Sequence, residues 1–89
     1  MTAADYGANS PLARRFGQRV RELRRARGPL SQEDLAAGAG LHRTAIGRIE
    51  RGEISLTLST IARLAAALGI SLNEFFQPFD EVLPCPRRS

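Results

Sequence analysis

The chain has 89 residues, 43% of them hydrophobic and 25% charged, with thirteen basic residues against nine acidic ones. Those proportions fit an ordinary globular protein of one domain and exclude a disordered or fibrous chain. The formal charge of +4 is carried by arginine alone, with no lysine, and the guanidinium fork suits polyanions because it matches phosphate and guanine. A coding bias toward arginine explains the missing lysine, so the placement of the arginines has to carry the functional argument. No apolar run reaches the ~20 residues that span a bilayer. The start, "MTAADYGANS", lacks the basic and apolar regions of a secretory signal. A cytoplasmic location without a membrane partner is the expectation. Cys85 is the single cysteine and reads as a free thiol, with no intramolecular disulfide or cysteine-cluster metal site open to it.

In chain order, Ser10-Pro11 predicts a helix N-cap followed by proline at the first helical position, where its missing N–H costs nothing. Leu12, Phe16, Val20 and Leu23 then recur at helical spacing. Seven arginines lie between Arg14 and Arg27, against the single acid Glu22, and Gly28-Pro29 ends the helix. Ser31 with Asp34 approximates a capping box, Asp being shorter than the usual Glu. The second helix runs from Gln32 to about Ala39, with Leu35, Ala36 and Ala39 inward. Gly40 supplies a turn. The third helix starts near His42 or Arg43 and ends at Gly52. Ala45, Ile46 and Ile49 face inward; Arg43, Thr44, Gly47, Arg48 and Arg51 face outward. Thr57 caps a fourth helix whose stripe is Leu58, Ile61, Leu64, Ala65 and Leu68, closed by Gly69. Ser71 with Glu74 forms a full capping box for a short fifth helix, "LNEFF". The tail "QPFDEVLPCPRRS" has three prolines and no strong period. No run alternates long enough to be a strand, so the chain reads as all-α.

The spacing of Ala36, Gly40 and Ile46 carries a more specific message. A small residue at 36 lets two helices cross closely, a glycine at 40 permits a sharp reversal, and Ile46 plugs the angle between them. That is the skeleton of a helix-turn-helix, whose second helix stands free to enter a DNA major groove.

The segment from Arg21 to Phe76, with "LSQEDLA", "IERGE" and "ALGISLNEFF", resembles the phage-repressor and Cro-type helix-turn-helix domain, also called the xenobiotic-response-element family. The resemblance covers about residues 14–76. "LHRTAIGRIERG" together with "ISLTLSTIARLA" is also similar to controller proteins of restriction–modification systems. The resemblance implies a compact five-helix domain of the lambda-repressor-like type. Residues 1–10 are then a flexible N-terminal segment, 11–77 the DNA-binding domain and 78–89 a tail.

It also implies roles. Gln32 braces on the DNA backbone, Arg43, Thr44, Gly47 and Arg48 occupy base-reading positions, and Arg51 meets phosphate. Arg24 pairs with Glu50, partly buried. Three departures stand out: Gly38 weakens the end of the second helix, Gly47 removes a reader from a groove-facing position, and Leu56 replaces a common proline. His42 is expected as a cap or phosphate contact, and a lone histidine makes a poor metal site. Most of Arg14, Arg15, Arg19, Arg21, Arg25 and Arg27 are expected to face solvent.

The functional expectation is a sequence-specific transcriptional regulator that binds double-stranded DNA as a homodimer on a palindromic operator. Phage or operon repressor, restriction–modification controller and antitoxin-type autoregulator are the variants. A protein-interaction module that has lost DNA binding is the alternative of a different class, opposed by the arginines at 43, 48 and 51. No catalytic constellation or nucleotide loop points to an enzyme or a cofactor, and a chain this short leaves no room for a ligand-sensing domain. Phe75, Phe76 and Phe79 are more aromatic surface than one terminal helix needs, and they are expected at the dimer interface.

Overall fold

The structure is a computed structural model and describes residues 6–28 and 30–81. Five α-helices follow one another: α1 (Pro11–Ala26), α2 (Gln32–Ala39), α3 (Arg43–Glu50), α4 (Leu58–Leu68) and α5 (Leu72–Phe76), with a 3-10 turn over Gln77–Glu81. There is no strand among the described residues.

Each helix begins where a polar side chain replaces a missing backbone partner. The Ser10 hydroxyl accepts from the Ala13 N–H at 3.1 Å, and Thr57 accepts from Thr60 at 3.2 Å. The two capping boxes come out in reverse order of expectation. Ser31 and Asp34 close theirs fully, at 3.0 and 3.2 Å. The Ser71 hydroxyl accepts from the Glu74 N–H at 3.0 Å, but the Ser71 N–H does not donate in return to the Glu74 carboxylate.

The stripes of four helices converge. Phe16 and Val20 of α1, Leu35 and Ala39 of α2, Ile46 and Ile49 of α3, and Leu64 and Leu68 of α4 are all buried. α3 lies against both α1 and α2, and α4 covers α2. Gly17 is the point where α1 meets α3. A Cβ there would collide with the Ile49 carbonyl oxygen and stand 2.6 Å from that of Glu50, so this crossing requires a residue without a side chain.

Two expectations need correction. Phe75 and Phe79 are not a free surface: both are buried within the single chain. Phe75 stacks on Phe16 with centroids 5.0 Å apart, and Phe79 meets Phe76 edge-on at 5.1 Å. The 3-10 turn after α5 folds Phe79 back onto α1. The Asn9 N–H donates to the Gly52 carbonyl at 2.8 Å, and Ser10 is buried. Leu58 leaves the α4 stripe and is 73% exposed, because none of the described residues covers it at the first turn of α4. Pro29, Cys85, Val82, Leu83 and residues 1–5 lie outside the described residues.

Candidate nucleic-acid interface

The second and third helices are joined by a turn whose geometry is fixed at several points. Gly40 adopts φ +70°, a left-handed conformation that favours glycine. The Leu41 N–H then reaches back to the Ala36 carbonyl at 2.8 Å. From α4, Arg63 donates to the carbonyls of Ala39 at 3.0 Å and Gly40 at 2.8 Å. A cation at a helix C-terminus satisfies orphan carbonyls and complements the helix dipole. Arg63 was not singled out by sequence reasoning, since its partners lie more than twenty residues away.

His42 caps α3: its Nδ1 accepts from the Thr44 N–H at 3.1 Å. That bond needs Nδ1 unprotonated. Ile46 is fully buried and fills the angle between α2 and α3.

Behind α3, Arg24 and Glu50 form a bidentate pair, Nε to Oε2 at 2.7 Å and Nη2 to Oε1 at 3.1 Å. Arg24 also donates to the Leu30 carbonyl at 3.0 Å, and Gln32 donates to Glu50 Oε1 at 3.1 Å. One carboxylate therefore ties α1, the start of α2 and the end of α3 together. The hydrogen bond that Arg24 donates to Glu50 raises the Arg24 pKa above the usual guanidinium range, against the opposing effect of burial. Gln32, which the resemblance places against the DNA backbone, is held in position by this network.

The outward face of α3 presents Arg43, Thr44, Arg48 and Arg51, all exposed. Each arginine has a carboxylate near it. Arg43 lies 3.8 Å from Glu33, and Arg48 lies 3.9 Å from Glu53. Arg51 makes a bidentate contact with Glu53 at 2.7 and 3.3 Å. That hydrogen bond is the main reason the Glu53 carboxyl is held below its ordinary range and the Arg51 guanidinium above its own. Gly47, expected on this face, is buried. Its cover comes from Arg51 and Gln32, not from the core.

Two of the first-helix arginines are the exceptions within a group that mostly faces solvent as expected. Arg19 donates to the carbonyls of Phe75 at 2.9 Å and Glu74 at 2.8 Å, pinning α5 to α1. Arg15 lies over the Phe79 ring at 5.5 Å from its centroid. Both are fastened to the body, leaving Arg14, Arg21, Arg25 and Arg27 as the exposed members of the group. Among the described residues no cluster of three or more His, Cys, Asp or Glu is placed to hold a metal ion. Among the same residues no helix is long and apolar enough to cross a membrane.

A free recognition helix on a braced two-helix unit, with arginines outward, defines the class, and the helix-turn-helix family matches residues 20–75. The chain belongs to that family. Among its relatives, the control protein C.MunI of a Mycoplasma species is 37% identical over 67 residues, which are 75% of this chain and 90% of that protein. The control protein C.BamHI of Bacillus amyloliquefaciens is 46% identical over 55 residues, 62% of this chain and 68% of that one. The solved restriction–modification controller C.AhdI of Aeromonas hydrophila superposes with a TM-score of 0.69 at 50% identity, covering 72% of this chain and 96% of that one. C.Esp1396I, solved bound to a 19 base pair DNA duplex, gives 0.73 at 32% identity over 81% of this chain and 96% of its own.

Proposed function

We propose that this protein is a sequence-specific DNA-binding transcriptional regulator that acts in the cytoplasm as a restriction–modification controller, a symmetric dimer on a palindromic operator. One observation carries the reading: α3 offers Arg43, Thr44, Arg48 and Arg51 on a single exposed face, while Glu50 of the same helix is locked to α1 and α2 from behind. A rigidly held helix can place guanidinium groups against base edges with little further ordering cost. The controllers C.MunI, C.BamHI and C.AhdI favour this role over other regulators of the same fold, and C.Esp1396I has been solved on DNA.

A single recognition helix reads only a few base pairs, too few to select a site in a genome. Pairing two domains about a two-fold axis sets the helices one turn of DNA apart, ~34 Å. With Phe75 and Phe79 committed to the core, the surface left for a second copy is the outer face of α5. Leu72, 41% exposed, and half-buried Phe76 lie four residues apart there.

The test is a fluorescence titration of duplex DNA across 50–200 mM salt, paired with light scattering. Neutralising phosphates with arginine makes log K fall by about 0.9 per contact with log salt. The scattering mass should approach twice the 9.7 kDa of one chain, and Leu72→Glu should reduce it to one. A salt slope near zero would refute DNA binding, and a monomeric wild type on and off DNA would refute the dimer.

A further inference from the structure

The resemblance sends Arg51 to the phosphate backbone, but its surroundings suit a different task. Gly47 and Arg51 are one helical turn apart, about 6 Å along the axis. Helical side chains lean toward the N-terminus, so an extended arginine at 51 lies over position 47. A Cβ on Gly47 would stand 3.2 Å from Arg51 Nη1 and 3.9 Å from Gln32 Oε1. The guanidinium thus occupies the space above Gly47 where a longer side chain would have reached into the groove.

Glu53 fixes that placement. Gly52 takes φ +74°, and the Glu53 N–H then bonds the Arg48 carbonyl at 2.9 Å. This turns Glu53 back beside α3, where its carboxylate takes Nε and Nη2 of Arg51. The occupied edge is the side of the fork. Nη1 rests over Gly47, and among the described residues neither it nor the outer hydrogen of Nη2 has a hydrogen-bond acceptor. Two parallel donors on a fixed plane match the O6 and N7 acceptors of guanine. The same fork also matches a phosphate, so sequence preference is what tells the base contact from a backbone contact.

We propose that Arg51 is a specificity-determining residue that reads a guanine in the major groove from above Gly47, with Glu53 as its positioning residue. The proposal rests on the DNA-binding function above and adds a base contact to it.

The experiment is binding-site selection on duplexes with a randomised core. Titration of the selected duplex and its single-base variants follows, for wild type, Arg51→Ala and Glu53→Gln. Both substituted side chains are exposed, and a thermal melt checks that each variant folds. The wild type is expected to require guanine at one position of each half-site. Arg51→Ala should lose that preference by on the order of 10- to 100-fold while keeping the others. Glu53→Gln keeps the arginine charge and removes a negative one, so it should bind all duplexes more tightly yet lose most of the same preference. The inference is overturned if either variant returns the wild-type preference at every position, the result for a phosphate contact. A wild type that selects no sequence at all would overturn the proposed function and this inference together.

Discussion

Replacing Glu50 with alanine should destabilise the protein far more than a surface charge change, even though no DNA is involved. The carboxylate is 3% exposed and its partner Arg24 13%. The substitution removes two bonds from Arg24 and one from Gln32. Leaving a buried charge without its partner costs about 3–5 kcal/mol. Arg24 keeps its bond to the Leu30 carbonyl and some access to water, which places the cost near the lower end, about 3 kcal/mol. For a domain of this size each kcal/mol lowers Tm by about 4–8 °C. The expected drop is therefore roughly 12–24 °C by circular dichroism without DNA. Glu50→Gln, which keeps one acceptor oxygen, should fall between. Glu33→Gln touches only an exposed pair with Arg43 and serves as the control, expected within about 0.5 kcal/mol of wild type. A Glu50→Ala melt no lower than this control would refute the reasoning, because it would mean that the pair is hydrated in solution.

Gly17→Ala should cost about 1–3 kcal/mol or more in denaturant titration, since the new methyl meets backbone carbonyls of α3 that cannot rotate away. Arg63→Ala should cost about 1–2 kcal/mol by uncapping Ala39 and Gly40, and it should weaken DNA binding by loosening the turn before α3. For Glu53, the folded pKa lies below the ordinary 4.5. Its pairing with Arg51 therefore contributes above the unfolded value and is lost as pH falls through the folded one. A carboxyl carbon titration by NMR should show a midpoint under 4.5 that rises in Arg51→Ala; an unmoved midpoint would contradict the pairing.

Much of the fold was legible because its signals are local. A cap acts on the two or three N–H groups after it, and a left-handed glycine acts on the carbonyls just before it. Ser10, Ser31, Thr57 and Ser71 therefore marked four helix starts, and Gly40 and Gly69 two ends. The stripe on α1 and the buried Ile46 and Ile49 followed from helical spacing. The outward arginines of α3 were legible for the same reason, as the complement of that buried face.

Tertiary structure alone decided what lies between elements far apart in the chain. Periodicity put Leu58 on the α4 stripe but could not say that none of the described residues covers it, and it is exposed. The aromatic residues after Ser71 looked surplus to one short helix. They are core because the 3-10 turn brings Phe79 onto Phe16, a contact that no local pattern encodes. Arg19 looked like a solvated charge, and Arg63 carried no local signal at all, because their carbonyl partners lie 56 and 24 residues away. Gly47 looked like a gap in the reading face. It is a seat for Arg51, which shares its helix face. The third participant, Glu53, reaches it only because Gly52 reverses the chain, and that reversal is a three-dimensional event whose consequence for side-chain direction the linear order does not contain.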